Sequence, residues 1–188
     1  MERVEEYNAL RQEILLNYTH IKDYRNLAYT VSVATLAFSY TDSVSSEPFI
    51  GLLPIMVIIP LFLATERSYL AISKMGSYIR VFYYKDGFRW ENRGPRFHKS
   101  LGHYRKRKNK NYFSQEVFFI DIIVMCCIIT MYRVYTASFS RNETIVRIII
   151  VILILIGAII FILSIRKLTY QQRGEYEKTW ESIKKMEK

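Results

Sequence analysis

Cysteine, glycine, proline and histidine are all scarce in this chain of 188 residues, which holds 2, 7, 4 and 3 of them. The two cysteines, Cys126 and Cys127, are adjacent and fall in an apolar run. That position suits neither a structural disulfide nor a zinc site, and both read as packing residues. No glycine-rich phosphate loop, CxxC pair, HExxH helix or Ser-His-Asp set occurs. The sequence therefore offers no catalytic residue, metal site or cofactor site. A secretory signal is missing too. The first apolar run follows a charged segment of about 25 residues, without a short basic start or a small-residue cleavage site, so it is expected to stay in the protein.

What the chain does have is apolar residues, 51% of the total, gathered in blocks. Uncharged or nearly uncharged runs fall at 26–41, 48–65, 117–132 and 148–165. Each is close to the roughly 17–20 residues that cross a ~30 Å hydrocarbon layer as a helix. The fourth, IIIVILILIGAIIFILSI, has no charge and almost no polar atom. The third contains Asp121, and the first carries Thr30, Ser32, Thr35 and Ser39.

The net charge of +10 invites a nucleic-acid partner, but in a membrane protein lysine and arginine first report sidedness. Four lie in the N-terminal segment, none in the loop DSVSSE, thirteen in 66–116, three in 133–147 and seven after the last run. Of the 27, then, 24 fall on one side if all four runs cross. The expectation is four spans with both termini in the cytoplasm, since three would strand a basic block outside. Direct nucleic-acid binding is not needed to explain the charge.

The flanking segments read as amphipathic helices. Tyr7, Leu10, Ile14, Tyr18 and Ile21 recur at three- and four-residue steps, as do Ile72, Met75, Ile79 and Phe82, and Tyr176, Trp180 and Ile183. No glycine or proline separates the first stripe from the first run, so one long rod is expected there. Pro54 and Pro60 fall inside the second run, where each is expected to free a carbonyl and act as a hinge. Stripes outside lipid must pack on one another or on another subunit, or else lie flat on the membrane surface.

Three features could carry chemistry. Residues 93–113, RGPRFHKSLGHYRKRKNKNYF, concentrate Arg93, Arg96, Lys99, Arg105, Lys106, Arg107, Lys108 and Lys110 with His98 and His103. Such a loop suits anionic lipid head groups, a nucleotide signal or RNA; equally, it can be a topological anchor beside the third run. Arg93 and His98 have the R-x4-H spacing of HEPN-type ribonucleases, but Gly94 and Pro95 would break the helix that pair requires. Asp121 is an intramembrane carboxylate, which lines an ion path, pairs with a neighbouring base or reaches water at the boundary. Ser32, Thr35 and Ser39 share one face of the first run and suit close helix packing or a hydrated lining. Arg133 reads as a residue reaching outward to the opposite boundary.

The order YNALRQEI, a first span, a proline-containing second span, then ERSYLAISKMGSYIR and FRWE resembles a diffuse class of small multi-span bacterial membrane proteins that accompany mobile-element and anti-phage defence loci. The matching positions are Leu10, Arg11, Glu13 and Ile14, then Ile72, Gly76, Tyr78 and Ile79, then Trp90 and Glu91. The resemblance covers residues 7–91 and implies an inner-membrane effector that assembles or opens when a partner senses infection. The expectation is therefore an all-α multi-pass membrane protein: an amphipathic helix in 1–25, two spans in 26–65, a cytoplasmic helix and basic loop in 66–116, two spans in 117–165 and a second amphipathic helix in 166–188. It is expected to contact membrane lipids, form a homo-oligomer and answer to a cytoplasmic partner protein or nucleotide signal from the same locus.

Overall fold

A computed structural model of the chain describes residues 2–39, 48–83, 113–137 and 139–187, and every regular element in them is helical. Helix α1 spans Glu2–Ser39, α2 Leu53–Phe82, α3 Phe113–Thr136 and α4 Arg141–Met186, with a 3₁₀ turn over Pro48–Leu52 leading into α2. At 1.5 Å per residue, the 46 residues of α4 make a rod of about 69 Å and the 30 of α2 one of about 45 Å. Both exceed the ~30 Å of a hydrocarbon layer, so neither can be wholly within one.

Three stretches are long and apolar enough to cross a membrane: Pro48–Phe82, Val117–Thr136 and Arg141–Met186. Among the described residues the chain is thus all-helical with three membrane-competent helices, against the four expected. The expected first span belongs to α1, whose uncharged part from Asn26 to Ser39 is about 21 Å long and carries five hydroxyl side chains, Tyr29, Thr30, Ser32, Thr35 and Ser39.

Local chemistry explains the helix ends. Ser140 and Glu143 form a reciprocal capping box at the start of α4: the Glu143 N–H donates to Ser140 Oγ at 3.4 Å and the Ser140 N–H to Glu143 Oε2 at 3.3 Å. Pro54 is the second residue of α2, in a first turn where a missing N–H costs nothing. It opens the helix, and the hinge expected of it is left to Pro60 alone. Pro60 is interior, exposed, and withholds a donor from the Met56 carbonyl.

The chain divides into two compact units. The apolar unit comprises the described parts of Lys22–Thr65 and Ser114–Ile165. Its core joins Ala28 of α1, Ile55, Ile58 and Phe62 of α2, Phe119, Ile123 and Cys127 of α3, and Val151, Ala158 and Ile162 of α4. Phe62 meets Phe119 edge-on at 5.5 Å. Gly51 sits so close to α3 that a Cβ there would lie 2.5 Å from Thr130 Oγ1. In lipid such a core is held by close packing rather than by exclusion of water.

The polar-linked unit comprises the described parts of Met1–Ile21, Glu66–Phe113 and Arg166–Lys188. Ile14, Met75, Ile79 and Tyr83 form its apolar cluster, with Tyr7, Leu10, Ala71, Ile72, Tyr78 and Phe82 packed against them. One stripe residue is misplaced by the periodicity: Tyr18 is 52% exposed, and Asn17 takes the inward position, its amide donating to the Glu13 carbonyl at 2.9 Å. A 3.5-residue repeat, as in paired helices, separates the two choices.

Candidate functional site

The most unusual chemistry in the described residues is a buried carboxylate. Glu66 is the first charged residue after the apolar run of α2, and it is only 6% exposed. Its Oε2 accepts the Thr169 hydroxyl at 2.7 Å and the Arg173 guanidinium at 3.3 Å. Thr169 Oγ1 also lies 3.0 Å from the Arg166 carbonyl, so it has an acceptor on its own helix. The Arg173 guanidinium stacks over Tyr69 at 5.2 Å, while its Nε is buried without a hydrogen-bond partner. Residues 166, 169 and 173 share one face of α4 because they are three and four apart.

The same face continues along α2. The Trp180 indole N–H donates to the Lys74 carbonyl at 3.3 Å, and the Lys184 ammonium donates to the Val81 carbonyl. Arg80 and Glu177 stand 3.6 Å apart, at a more exposed position where a pair contributes little. From Glu66–Thr169 to Val81–Lys184 the partners advance together, so α2 and α4 run parallel here.

On the other side of α2, Glu6 of α1 accepts the Tyr78 hydroxyl at 2.7 Å and the Tyr83 hydroxyl as well. Tyr78 also meets Phe82 at 4.7 Å and Trp180 edge-on at 5.1 Å, and Tyr7 meets Tyr83 at 5.8 Å. Tyr78 therefore touches both α1 and α4. The two phenols hold the Glu6 carboxyl below its ordinary range. Burial, then the bond to Glu6 and its charge, push Tyr78 up to about 12, and the same causes in the same order raise Tyr83.

The sequence-predicted residues fall elsewhere. Arg93, Arg96, His98, Lys99, His103, Arg105, Lys106, Arg107, Lys108 and Lys110 lie outside the described residues, as do Trp90 and Glu91. Ser32 and Ser39 are buried in the apolar unit and donate to carbonyls of their own helix, Ala28 at 2.6 Å and Leu36 at 2.7 Å; Thr35 is half-buried. Asp121 is exposed on α3. Arg133, read as reaching outward, is buried at 8% exposure. Leu10, Ile14, Ile72, Tyr78 and Ile79, which carry the sequence resemblance, all belong to the apolar cluster of the polar-linked unit.

No family model, curated protein or solved structure matches this chain. Its chemistry must be read from its own residues. Among the described residues no cluster of His, Cys, Asp and Glu could hold a metal ion. What the arrangement can do is mechanical: it ties the ends of three helices together through one buried ion pair, two hydrogen bonds to α2 carbonyls and a doubly accepted carboxylate. Sequence reasoning passed over Glu66, Thr169, Arg173 and Glu6. The available signal was Glu66 itself, a carboxylate abutting an uncharged run.

Proposed function

We propose that the chain is a non-enzymatic effector of the bacterial inner membrane, with four spans and both termini in the cytoplasm. A cytoplasmic trigger engages the polar-linked unit, and the spans respond by assembling or opening so that the membrane is permeabilised or depolarised. One observation carries this reading. Helices α1, α2 and α4 each contribute residues to both units, so an event at the polar-linked unit acts on the same helices that build the apolar one. The resemblance to membrane proteins of anti-phage loci supplies the biological setting.

The fourth crossing is supported by the direction of α1. Glu6 bonds to Tyr78 and Tyr83, Ile14 clusters with Met75 and Ile79, and Ala28 clusters with Ile55, Ile58 and Phe62. As α1 advances, its partners on α2 recede, and its polar second half packs in the same core as the three membrane-competent helices. Buried Ser32 and Ser39, bonded to their own backbone, allow that half to do so without unsatisfied hydroxyls. The lysine and arginine count supports a cytoplasmic position for the polar-linked unit.

A membrane-potential dye, read during overexpression with and without the neighbouring gene products, tests the reading. Depolarisation under a triggering condition supports it. Unchanged potential under every condition sinks it, and co-purification of a cytoplasmic protein in that case would leave a tethering scaffold. Reporter fusions at residues 42–47 and 85–110 test the topology separately. Replacing Arg105 to Lys108 with uncharged residues then divides the roles of the basic loop: inverted topology marks an anchor, retained topology with lost response a ligand site.

A further inference from the structure

Two outward faces of the apolar unit differ in chemistry. Only 17% of the apolar window of α4 is buried, against 39% for α2 and α3, and its exposed side chains Ile145, Ile149, Leu153, Ile156, Ile160 and Leu163 contain no polar atom. Acyl chains cover such a face at no cost. On α3 the exposed residues are Asp121, Met125, Ile128, Tyr132 and Tyr135, with Thr136 at the helix end. The first five step by four, three, four and three, the 3.5-residue repeat of a helix that packs along a second helix. The opposite side of α3, with Phe119, Ile123, Cys126, Cys127 and Thr130, is spent on the unit's own core.

Lipid is a poor cover for the α3 stripe, because a carboxylate facing hydrocarbon is expensive unless it finds a counter-ion. Among the described residues Asp121 makes no hydrogen bond or ion pair within its own chain. A cation is nevertheless at hand. Arg25 of α1 is half-buried with its guanidinium 5.6 Å above the ring of Phe118, one turn before Asp121, and its Nε is buried without a hydrogen-bond partner. The edge of the stripe thus presents an acid without a partner among the described residues, while an under-satisfied base lies over the aromatic ring one turn before it.

We infer that this stripe is the interface with a second copy of the chain, in which Asp121 of each copy takes Arg25 of the other as its counter-ion. A two-fold axis satisfies both pairs at once, since in an isologous contact each residue meets its complement twice. The inference deepens the effector reading by naming how the spans assemble, and it rests on α3 lying in a membrane.

The test uses the full chain in membranes, with Cys126 and Cys127 replaced by alanine. Ile128→Cys is expected to form an inter-chain cross-link and Leu153→Cys, on the α4 face, none. Asp121→Arg alone and Arg25→Asp alone should each reduce the Ile128→Cys cross-link by more than roughly ten-fold, through like-charge contacts. Co-expressing the two singly reversed chains under different tags should restore it as a mixed pair. No cross-link at Ile128→Cys, or an equally strong one at Leu153→Cys, overturns the interface. Restoration only when both reversals share one chain shows an internal ion pair and overturns it too. These readouts need no trigger, so a failed interface and a failed effector role are told apart: the first leaves dye-reported depolarisation intact, the second leaves the cross-link intact.

Discussion

Breaking the Glu66–Arg173 pair should cost more than replacing it. Glu66→Leu leaves the Arg173 guanidinium with its Nε buried and its acceptor gone, although Thr169 keeps the Arg166 carbonyl. Removing one partner of a buried pair typically costs about 3–5 kcal/mol. The Arg173 side chain is 24% exposed and water can reach part of it, so about 1.5–3 kcal/mol is the expectation here. Arg173→Met strands the more buried partner, a carboxylate with a 7% exposed side chain that retains only the Thr169 hydroxyl, and should cost about 2–4 kcal/mol. The double replacement removes both charges and should fall within about 1 kcal/mol of the parent, giving a coupling energy of about 2 kcal/mol or more. The assay is unfolding of the detergent-solubilised protein by a denaturing detergent, followed by fluorescence of Trp180, which sits in the same unit. Singles that add to the double within about 0.5 kcal/mol would show that the pair does not act as a unit and would refute the reasoning.

The tyrosine pair predicts an alkaline transition. Folded pKa values raised above the ordinary value of 10.0 mean that the stabilisation is fully present below pH 10 and is lost as pH rises through about 12; absorbance at 295 nm should show late-ionising tyrosines that titrate earlier after Glu6→Gln. Gly51→Ala should destabilise the apolar unit by about 1–3 kcal/mol, because its Cβ meets Thr130 Oγ1 at 2.5 Å, and Thr130→Ala should relieve most of that. Pro60→Ala restores a donor to the Met56 carbonyl and should raise the unfolding midpoint while weakening triggered depolarisation if the bend is used. Lys184→Met should lower stability by about 0.5–1 kcal/mol through loss of a cation at the α2 carboxyl end, whereas Lys185→Met, at an exposed position, should leave the midpoint in place.

The helices were legible in the sequence because their signals are local. An uncharged run of 17 or more residues announces itself, and the absence of glycine and proline between residues 2 and 39 leaves α1 no place to stop. Other features escaped for equally physical reasons. Tyr18 and Asn17 differ by one position, and hydrophobicity favours the tyrosine, but the 3.5-residue repeat of a packed helix turns the asparagine inward. Pro54 lies within the second apolar run, so nothing local tells a helix start from a helix interior; the 3₁₀ turn before it decides. The Glu66, Thr169 and Arg173 cluster joins residues more than a hundred apart, and no periodicity within either helix reveals such a meeting.

The two helices that flank α2 in the polar-linked unit run in opposite directions and meet its dipole differently. Helix α1 runs antiparallel to α2, a favourable alignment of dipoles, and is fastened by the apolar cluster of Ile14, Met75 and Ile79 and by the Tyr78 and Tyr83 hydroxyls that donate to Glu6. The extension of α4 runs parallel to α2, which brings two negative helix ends together. Cations answer that repulsion: Arg80 stands in the last turn of α2 and Lys184 in the last turn of α4, where its ammonium reaches across to the Val81 carbonyl. Part of the basic charge that reads as a topology signal therefore also stabilises helix ends. Bonds of this kind are discrete and compete with water and with incoming anions. An anionic trigger at this unit would compete directly for Lys184 and Arg173.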